Sequence, residues 1–415
     1  MKFFHTSDWH LGNRLLGQSR TAEFRQFLDW LLEQMEAERP DALLISGDIF
    51  DTGSPSEGAR ELYCDFLSRA DATGCRRIIV AAGNHDSPSQ LEVTSPLLKR
   101  YNSTLISRLS AKTAESCLIP ITDENDEERA LVCAVPFLRV SEVSLPATED
   151  DTEGRKTSYT RGIAAVYTAV GELAEAWKEA HPGCPVIGMG HLTVNGIDKT
   201  ASTHDIVGTL SGVSADIFPA AFDYTALGHI HKPSGAADAR ARYSGSPLPM
   251  GMDEGQYEHS ILIVETEGCR CRARALPVPR FTQMVQRRCG SEEDVRRLAA
   301  EVQEMVRTDG HPVWLELLYG GVTPSVSGVR ALLSELLPEE VVPVRHVHRD
   351  PDAHTASAAH EEEPEVSLDQ YSPQTLFERR LGEYAAEHPD LTEAQQQELR
   401  ALFSGVLATL PADTL

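Results

Sequence analysis

Positive charge is in short supply in this sequence. Thirty-eight lysines and arginines stand against 63 aspartates and glutamates, a formal charge of −25. A chain that coats nucleic acid by bulk attraction is therefore excluded, and a polyanion would have to be held through metal, a local basic patch or a partner. The eight cysteines include one C-x-C, Cys269 and Cys271, but no repeated C-x-x-C spacing. That removes a structural zinc and a disulfide framework, and it fits a reduced, cytoplasmic setting. No window holds eighteen consecutive apolar residues, so no membrane span is expected. The stretch "MKFFHTSDWH" lacks the apolar core of a signal peptide, so export is not expected either.

Apolar residues are plentiful, at 41% of 415 positions. That length exceeds what one core usually serves, so more than one domain is expected. "FRQFLDWLLEQM" places Phe24, Phe27, Leu28, Leu31, Leu32 and Met35 at helical spacing, whereas "DALLISGD", "RRIIVAAG", "RALVCAVPF", "PVIGMG" and "YTALGH" read as strands buried on both faces. "HSILIVETEGCRCRARALPV" reads as two strands around a turn at Glu267 and Gly268. The pattern is α/β, and it ends a large domain over 1–278.

Residues 279–349 form a second, small α/β unit of strand, helix, strand, helix and strand, its first helix opened by Ser291 with Asp294 three positions on. Residues 350–369 are rich in Asp, Glu, His, Ala and Ser and read as a flexible acidic linker. Residues 370–415 carry two short amphipathic helices, one with Phe377, Leu381 and Tyr384 on a face, the other with Leu399, Leu402, Phe403, Val406, Leu407 and Leu410. Two such helices cannot bury their apolar faces on each other alone, so they are expected to dock on a partner protein, with packing back on this chain as the alternative.

Chemistry gathers at the strand ends. "TSDWH" gives Asp8 and His10, "LLISGDIFD" gives Asp48, "AAGNHD" gives Asn84, His85 and Asp86, "GMGH" gives His191, and "ALGHIH" gives His229 and His231. Ligand sites in α/β sheets lie beyond the carboxyl ends of the strands, so these residues can converge. D-x-H and H-x-H put both groups on one side of a strand. Two carboxylates, an amide and four imidazoles, without thiolate, suit Mn, Fe or Zn in a two-ion site better than Ca or a structural zinc.

Seven ligands for two ions require a bridging carboxylate, and Asp48, alone at its strand end after Gly47, is the candidate. Two ions about 3.5 to 4 Å apart clamp a phosphoryl group for in-line displacement. His85 is left over in this count as the general acid or phosphate-orienting group, with Asp86 expected to fix its tautomer. A single G-D or G-H is most often just a turn. "HVH" at His346 to His348 shows this, having the ligand spacing without carboxylates, and is left out. Five such elements in order are hard to attribute to turns.

The run D-x-H, G-D, G-N-H-D, G-H and G-H-x-H resembles the calcineurin-like metallophosphoesterases. That resemblance implies a four-layer β-sandwich flanked by helices. One ion would sit on Asp8, His10, Asp48 and His231, the other on Asp48, Asn84, His191 and His229, and His85 matches the catalytic histidine. The longer stretches "HTSDWHLG", "LLISGDIFDTGSPS", "GHLTVNG", "FDYTALGHIHKP" and "YSGSPLPM" are similar to the SbcCD- and Mre-type DNA repair nucleases over residues 1–260. This implies cleavage of DNA phosphodiesters at single strands, hairpins and duplex ends, with Mn2+ (or Mg2+) as cofactor, in repair, recombination and replication. It also makes 279–349 a capping domain and 370–415 the segment that binds a coiled-coil, SbcC-like ATPase.

A homodimer within a heterotetramer is implied as well. "ARELYCDFLSRA" and "LEVTSPLLKR" can supply its apolar faces, although Leu62, Phe66 and Leu67 fit a core equally well. The insertion-like "TEDDTEGRKTSYTRG" at 148–162 departs from the pattern. Two other readings compete: a phosphatase or cyclic nucleotide phosphodiesterase acting on a small phosphoester, and a DNA-end sensor that keeps the fold without chemistry. Small-substrate assays separate the first, and intact His85, Asp86 and ligands count against the second.

Overall fold

Alternation along the first strands decides how the layers stack. In the computed structural model, described over residues 1–143, 152–195, 212–235, 240–339, 342–350 and the helical positions 381, 395, 396, 399, 400 and 403, Phe3, Leu44 and Ile79 join one core, while Phe4, Leu43, Ile45 and Val80 join another. Successive side chains of a strand point to opposite faces, so the sheet that carries them is buried on both. Its order is Arg270–Pro277, Ser260–Glu267, Lys2–Thr6, Ala42–Ser46, Arg77–Ala81 and Ser103–Ile106. The second sheet runs Ser234–Gly235, Ala241–Tyr243, Tyr224–Gly228, Val186–His191, Glu128–Ala134 and Leu118–Thr122.

The two sheets pack through their central strands. Helices Thr21–Glu38 and Glu57–Ala70 cover the first sheet, with Phe24, Phe27, Leu31, Tyr63 and Phe66 in its outer core. Helix Thr152–Ala180 adds Val166, Tyr167, Val170 and Ala174 to the other cluster. The layers are therefore helix, sheet, sheet, helix, as the resemblance implies. Leu62, Phe66 and Leu67 belong to the core, which settles that open choice. The insertion-like stretch resolves, from Thr152 onward, into the start of the long helix.

Strands Lys2–Thr6, Ala42–Ser46 and Arg77–Ala81 are mutually parallel, as are Glu128–Ala134, Val186–His191 and Tyr224–Gly228. Their carboxyl ends open on one edge of the sandwich, which is where the chemistry-bearing residues lie.

Residues 283–349 have a core of their own, built on the parallel sheet Gln283–Cys289, Val313–Tyr319 and Val344–Arg349 under helices Glu292–Asp309 and Val326–Leu336. Ser291 caps the first of these helices: its hydroxyl accepts from Asp294 N–H at 3.2 Å, and Asp294 Oδ2 accepts from Ser291 N–H at 3.0 Å. The opposite face of the sheet puts Met284, Trp314 and Val344 against Met252, with Leu15 and Leu16 beside them. By contact density residues 1–353 are one compact unit and 354–415 another. In the latter, Leu381, Gln395, Gln396, Leu399, Arg400 and Phe403 are helical. The expected acidic linker beyond residue 350 and the other positions of 370–415, where two helices are expected, lie outside the described residues.

His5 ties the two sheets together from the inside. Its ring is fully buried, with Nε2 3.1 Å from the Leu227 carbonyl and Nδ1 2.9 Å from the Tyr224 hydroxyl. The carbonyl can only accept, so Nε2 carries the proton and the ring is neutral. Burial pushes the His5 pKa down to about 3, against a partial rise from the Leu227 carbonyl. The unfolded chain binds a proton below pH 6.5 that the folded chain refuses until about pH 3. This contribution to stability is thus complete above pH 6.5 and declines as pH falls, by about 1.4 kcal/mol per unit. Urea unfolding at pH 7 and pH 5 should show the parent losing about 2 kcal/mol more across that interval than His5→Gln. Equal losses would contradict it.

Candidate metal centre

The backbone is bent to bring the ligands together. Asp8, His10 and Asp48 have φ of 54, 47 and 51°, and His229 has 93°, so four of the seven candidate ligands occupy a region that residues with a side chain seldom enter. Such strain persists only where surrounding contacts enforce it. Here Asp8 N–H donates to the Gly47 carbonyl and His10 N–H to that of Asp48, each at 3.0 Å, lacing the first loop to the second. A side chain at Gly47 would strike the His191 ring, and one at Gly83 would strike the Asp48 carboxylate. The glycines of G-D and G-N-H-D are therefore required by close approach.

The structure brings all seven predicted ligands into one cluster, six of them buried and Asn84 half-buried. Asn84 Oδ1 lies 2.9 Å from both His191 Nε2 and His229 Nδ1, and Asp48 Oδ2 lies 3.3 Å from His191 Nε2. His10 Nε2 and His231 Nε2 face each other at 3.2 Å, with Asp48 Oδ2 3.7 Å from His10 Nε2. Asp8 accepts the His229 N–H at 2.9 Å. Asp8, His10 and His231 form one set of close donor atoms, and Asp48, His191 and His229 another.

What stands behind each imidazole shows what the cluster fits. His191 Nδ1 is 2.8 Å from the Ser46 carbonyl, and His231 Nδ1 is 3.0 Å from Glu254 Oε1. Both partners accept, so each Nδ1 carries the proton and each Nε2 points a lone pair inward. His10 Nδ1 lies 3.3 Å from Asp51 Oδ1, a contact of opposite charges rather than an aligned hydrogen bond. The centre thus collects lone pairs that face oxygens and one another, and this donor set fits divalent cations. Without one the site takes up protons instead: burial lowers the pKa of His191, but the charges of Asp48 and Asp8 raise it to about 9. Burial alone would raise the pKa of Asp48, yet His191, His10 and His85 hold it well below the usual carboxylate range.

The family model described as calcineurin-like phosphoesterase matches residues 1–233. The chain belongs to the calcineurin-like phosphoesterase family. It is 34% identical, over its whole length and 99% of the relative, to a protein from Escherichia coli strain K12 named as a subunit of the nuclease SbcCD. A protein of the same name from Rhodobacter capsulatus is 30% identical over 91% of this chain and 93% of its own. Another, from Bacillus subtilis, is 34% identical over 64% of this chain and 66% of its own.

Two features of this phosphoesterase site escaped the sequence. Asp86 was expected to orient His85, and the structure corrects that pairing. The Asp86 carboxylate accepts backbone N–H groups from Ile49, Phe50 and Gly83 at 2.8 to 3.2 Å, while His85 Nδ1 lies 2.7 Å from the Asp51 carbonyl. Asp86 thus staples the G-N-H-D loop to the G-D loop. Burial, then the Asp48 charge, push its carboxyl up to about 6 despite those donors. Glu254 is the second omission: it is fully buried and bonded to His231, but it comes from the irregular stretch "GMDEGQY", where no spacing marks it.

Residues that orient a metal-binding histidine from behind commonly matter about 10- to 100-fold in metal affinity. Glu254→Gln should therefore raise the Mn2+ dissociation constant by at least about tenfold in titration calorimetry, with the metal-free fold retained by circular dichroism. Unchanged affinity would remove Glu254 from the site.

Proposed function

We propose that the chain is a two-ion phosphodiesterase that cuts DNA. The observation that carries this reading is the inward convergence of histidine lone pairs on Asp8, Asp48 and Asn84. Asp8, His10, Asp48 and His231 would hold one ion, and Asp48, Asn84, His191 and His229 the other, with Asp48 shared. Mn2+ suits the mixed nitrogen and oxygen donors, with Mg2+ the alternative. When bound, the pair supplies Lewis acidity and a nucleophile at the scissile phosphate.

The chain's own residues supply the rest. His85 N–H donates to Asp48 Oδ1 at 2.8 Å, which orients the shared carboxylate, and Nδ1 is held by the Asp51 carbonyl. Nε2 is then the atom free to take or give a proton at the leaving oxygen. Asp86 acts by keeping the loop of Asn84 and His85 registered on that of Asp48.

DNA as substrate rests on the full-length likeness to relatives named as nuclease subunits. Their name also supports a complex with a second protein, which the resemblance makes a coiled-coil ATPase that controls access to duplex and docks on residues 370–415. A homodimer within a heterotetramer follows from the same likeness. Eight free cysteines and no described helix long and apolar enough to cross a membrane accord with action in the cytoplasm. The separate core of 283–349 weighs against a small phosphoester or cyclic nucleotide, whose hydrolysis needs no such addition.

The test is Mn2+-dependent cleavage of a labelled hairpin oligonucleotide, beside a phosphomonoester and a cyclic nucleotide. His85→Ala should lower hairpin cleavage about 10²- to 10⁴-fold while DNA and Mn2+ binding persist. Brisk turnover of a small phosphoester with no cleavage of DNA would overturn the reading.

A further inference from the structure

The turn Met252–Gln256 lies between the metal site and the sheet of residues 283–349, and it touches both through adjacent residues. On the inner side Glu254, fully buried, places Oε1 3.0 Å from His231 Nδ1 and takes the Met250 N–H on Oε2 at 2.7 Å. On the outer side Gly255 runs so close to strand Gln283–Cys289 that a Cβ there would lie 2.6 Å from Met284 Cβ and 2.7 Å from the Met284 carbonyl oxygen. Arg280, in the link into that strand, donates through Nη1 to the Gly255 carbonyl at 2.6 Å and to Gln283 Oε1 at 3.3 Å. Its Nη2 donates to the Tyr257 carbonyl at 2.9 Å. Met252 anchors the start of the turn among Met284, Trp314 and Val344.

We propose that the strand Gln283–Cys289 sets the position of the metal ligand His231, with Arg280 and Glu254 as the positioning residues at the two ends of this linkage. The turn has no slack. Gly255 admits no approach closer than the present one, its backbone carbonyl is held by a charged donor, and the neighbouring side chain holds the ligand. A displacement of the small domain therefore changes where His231 points. By reciprocity, metal at His231 resists that displacement. Arg280 touches none of the seven ligands, so it acts only through the turn. The inference rests on the metal reading of the site.

A double-mutant cycle on Mn2+ affinity tests it, using the full chain and titration calorimetry. Arg280→Ala should weaken Mn2+ binding about tenfold in the parent background. In the Glu254→Gln background the same change should have an effect of less than about twofold, because the linkage is already cut. Arg280→Lys, which keeps the charge and can make one of the two carbonyl bonds, should fall between parent and Arg280→Ala, and it serves if the alanine variant does not fold. An unchanged Mn2+ affinity in Arg280→Ala, or effects that add in full, would overturn the proposal. A parent chain that binds no Mn2+ at all would instead bring down the metal reading itself, and this inference with it.

Discussion

Everything at the edge of the sandwich depends on imidazole rings whose outward nitrogens are committed to acceptors. The Ser46 carbonyl behind His191 and Glu254 behind His231 leave lone pairs on the inner nitrogens, and the Asp51 carboxylate faces His10 from the same side. With the carboxylates of Asp8 and Asp48 and the Asn84 amide oxygen, the centre is almost entirely acceptor. Such a cluster is costly to bury unless protons or cations occupy it. The rest of the large domain can be read as the framework that holds this unfavourable set in place.

The framework does so with parallel strands and tight loops. Parallel strands deliver their ends to one edge, and a left-handed residue at each of Asp8, His10, Asp48 and His229 turns the chain sharply enough for its side chain to face the centre. Gly47 and Gly83 let the G-D and G-N-H-D loops approach until His191 and Asp48 occupy the space a Cβ would take. Asp86 then joins the same two loops with three backbone N–H groups. Local strain is offset by loop-to-loop hydrogen bonds, so the site should be rigid before any ion arrives.

Much of this was legible in the sequence. Strands such as Ala42–Ser46 and Tyr224–Gly228 announce themselves as unbroken apolar runs. The pairs two apart, Asp8/His10 and His229/His231, do reach the centre, but not by strand geometry: they lie past the ends of Lys2–Thr6 and Tyr224–Gly228, where left-handed residues aim them. The capping box of Ser291 and Asp294 was readable in the same way. The supporting partners were not. Asp51 supports His85 with a backbone carbonyl, which no residue type encodes, and Glu254 acts from an irregular turn on a histidine 23 positions away in sequence. Asp86 was assigned to its neighbour in sequence because nothing in the sequence shows that the backbone of Ile49 and Phe50 lies closer to its carboxylate. Roles set by tertiary contact are where one-dimensional reading stops.

The shared carboxylate is the claim on which the account turns, since in the proposed centre Asp48 is the one ligand that belongs to both ions. The direct measurement is the number of Mn2+ ions bound per folded chain, by calorimetry and metal analysis, in the parent and in Asp48→Ala. The account predicts two ions in the parent and at most one in the variant, with circular dichroism showing that both are folded. One ion in the parent, or two retained without Asp48, would contradict it.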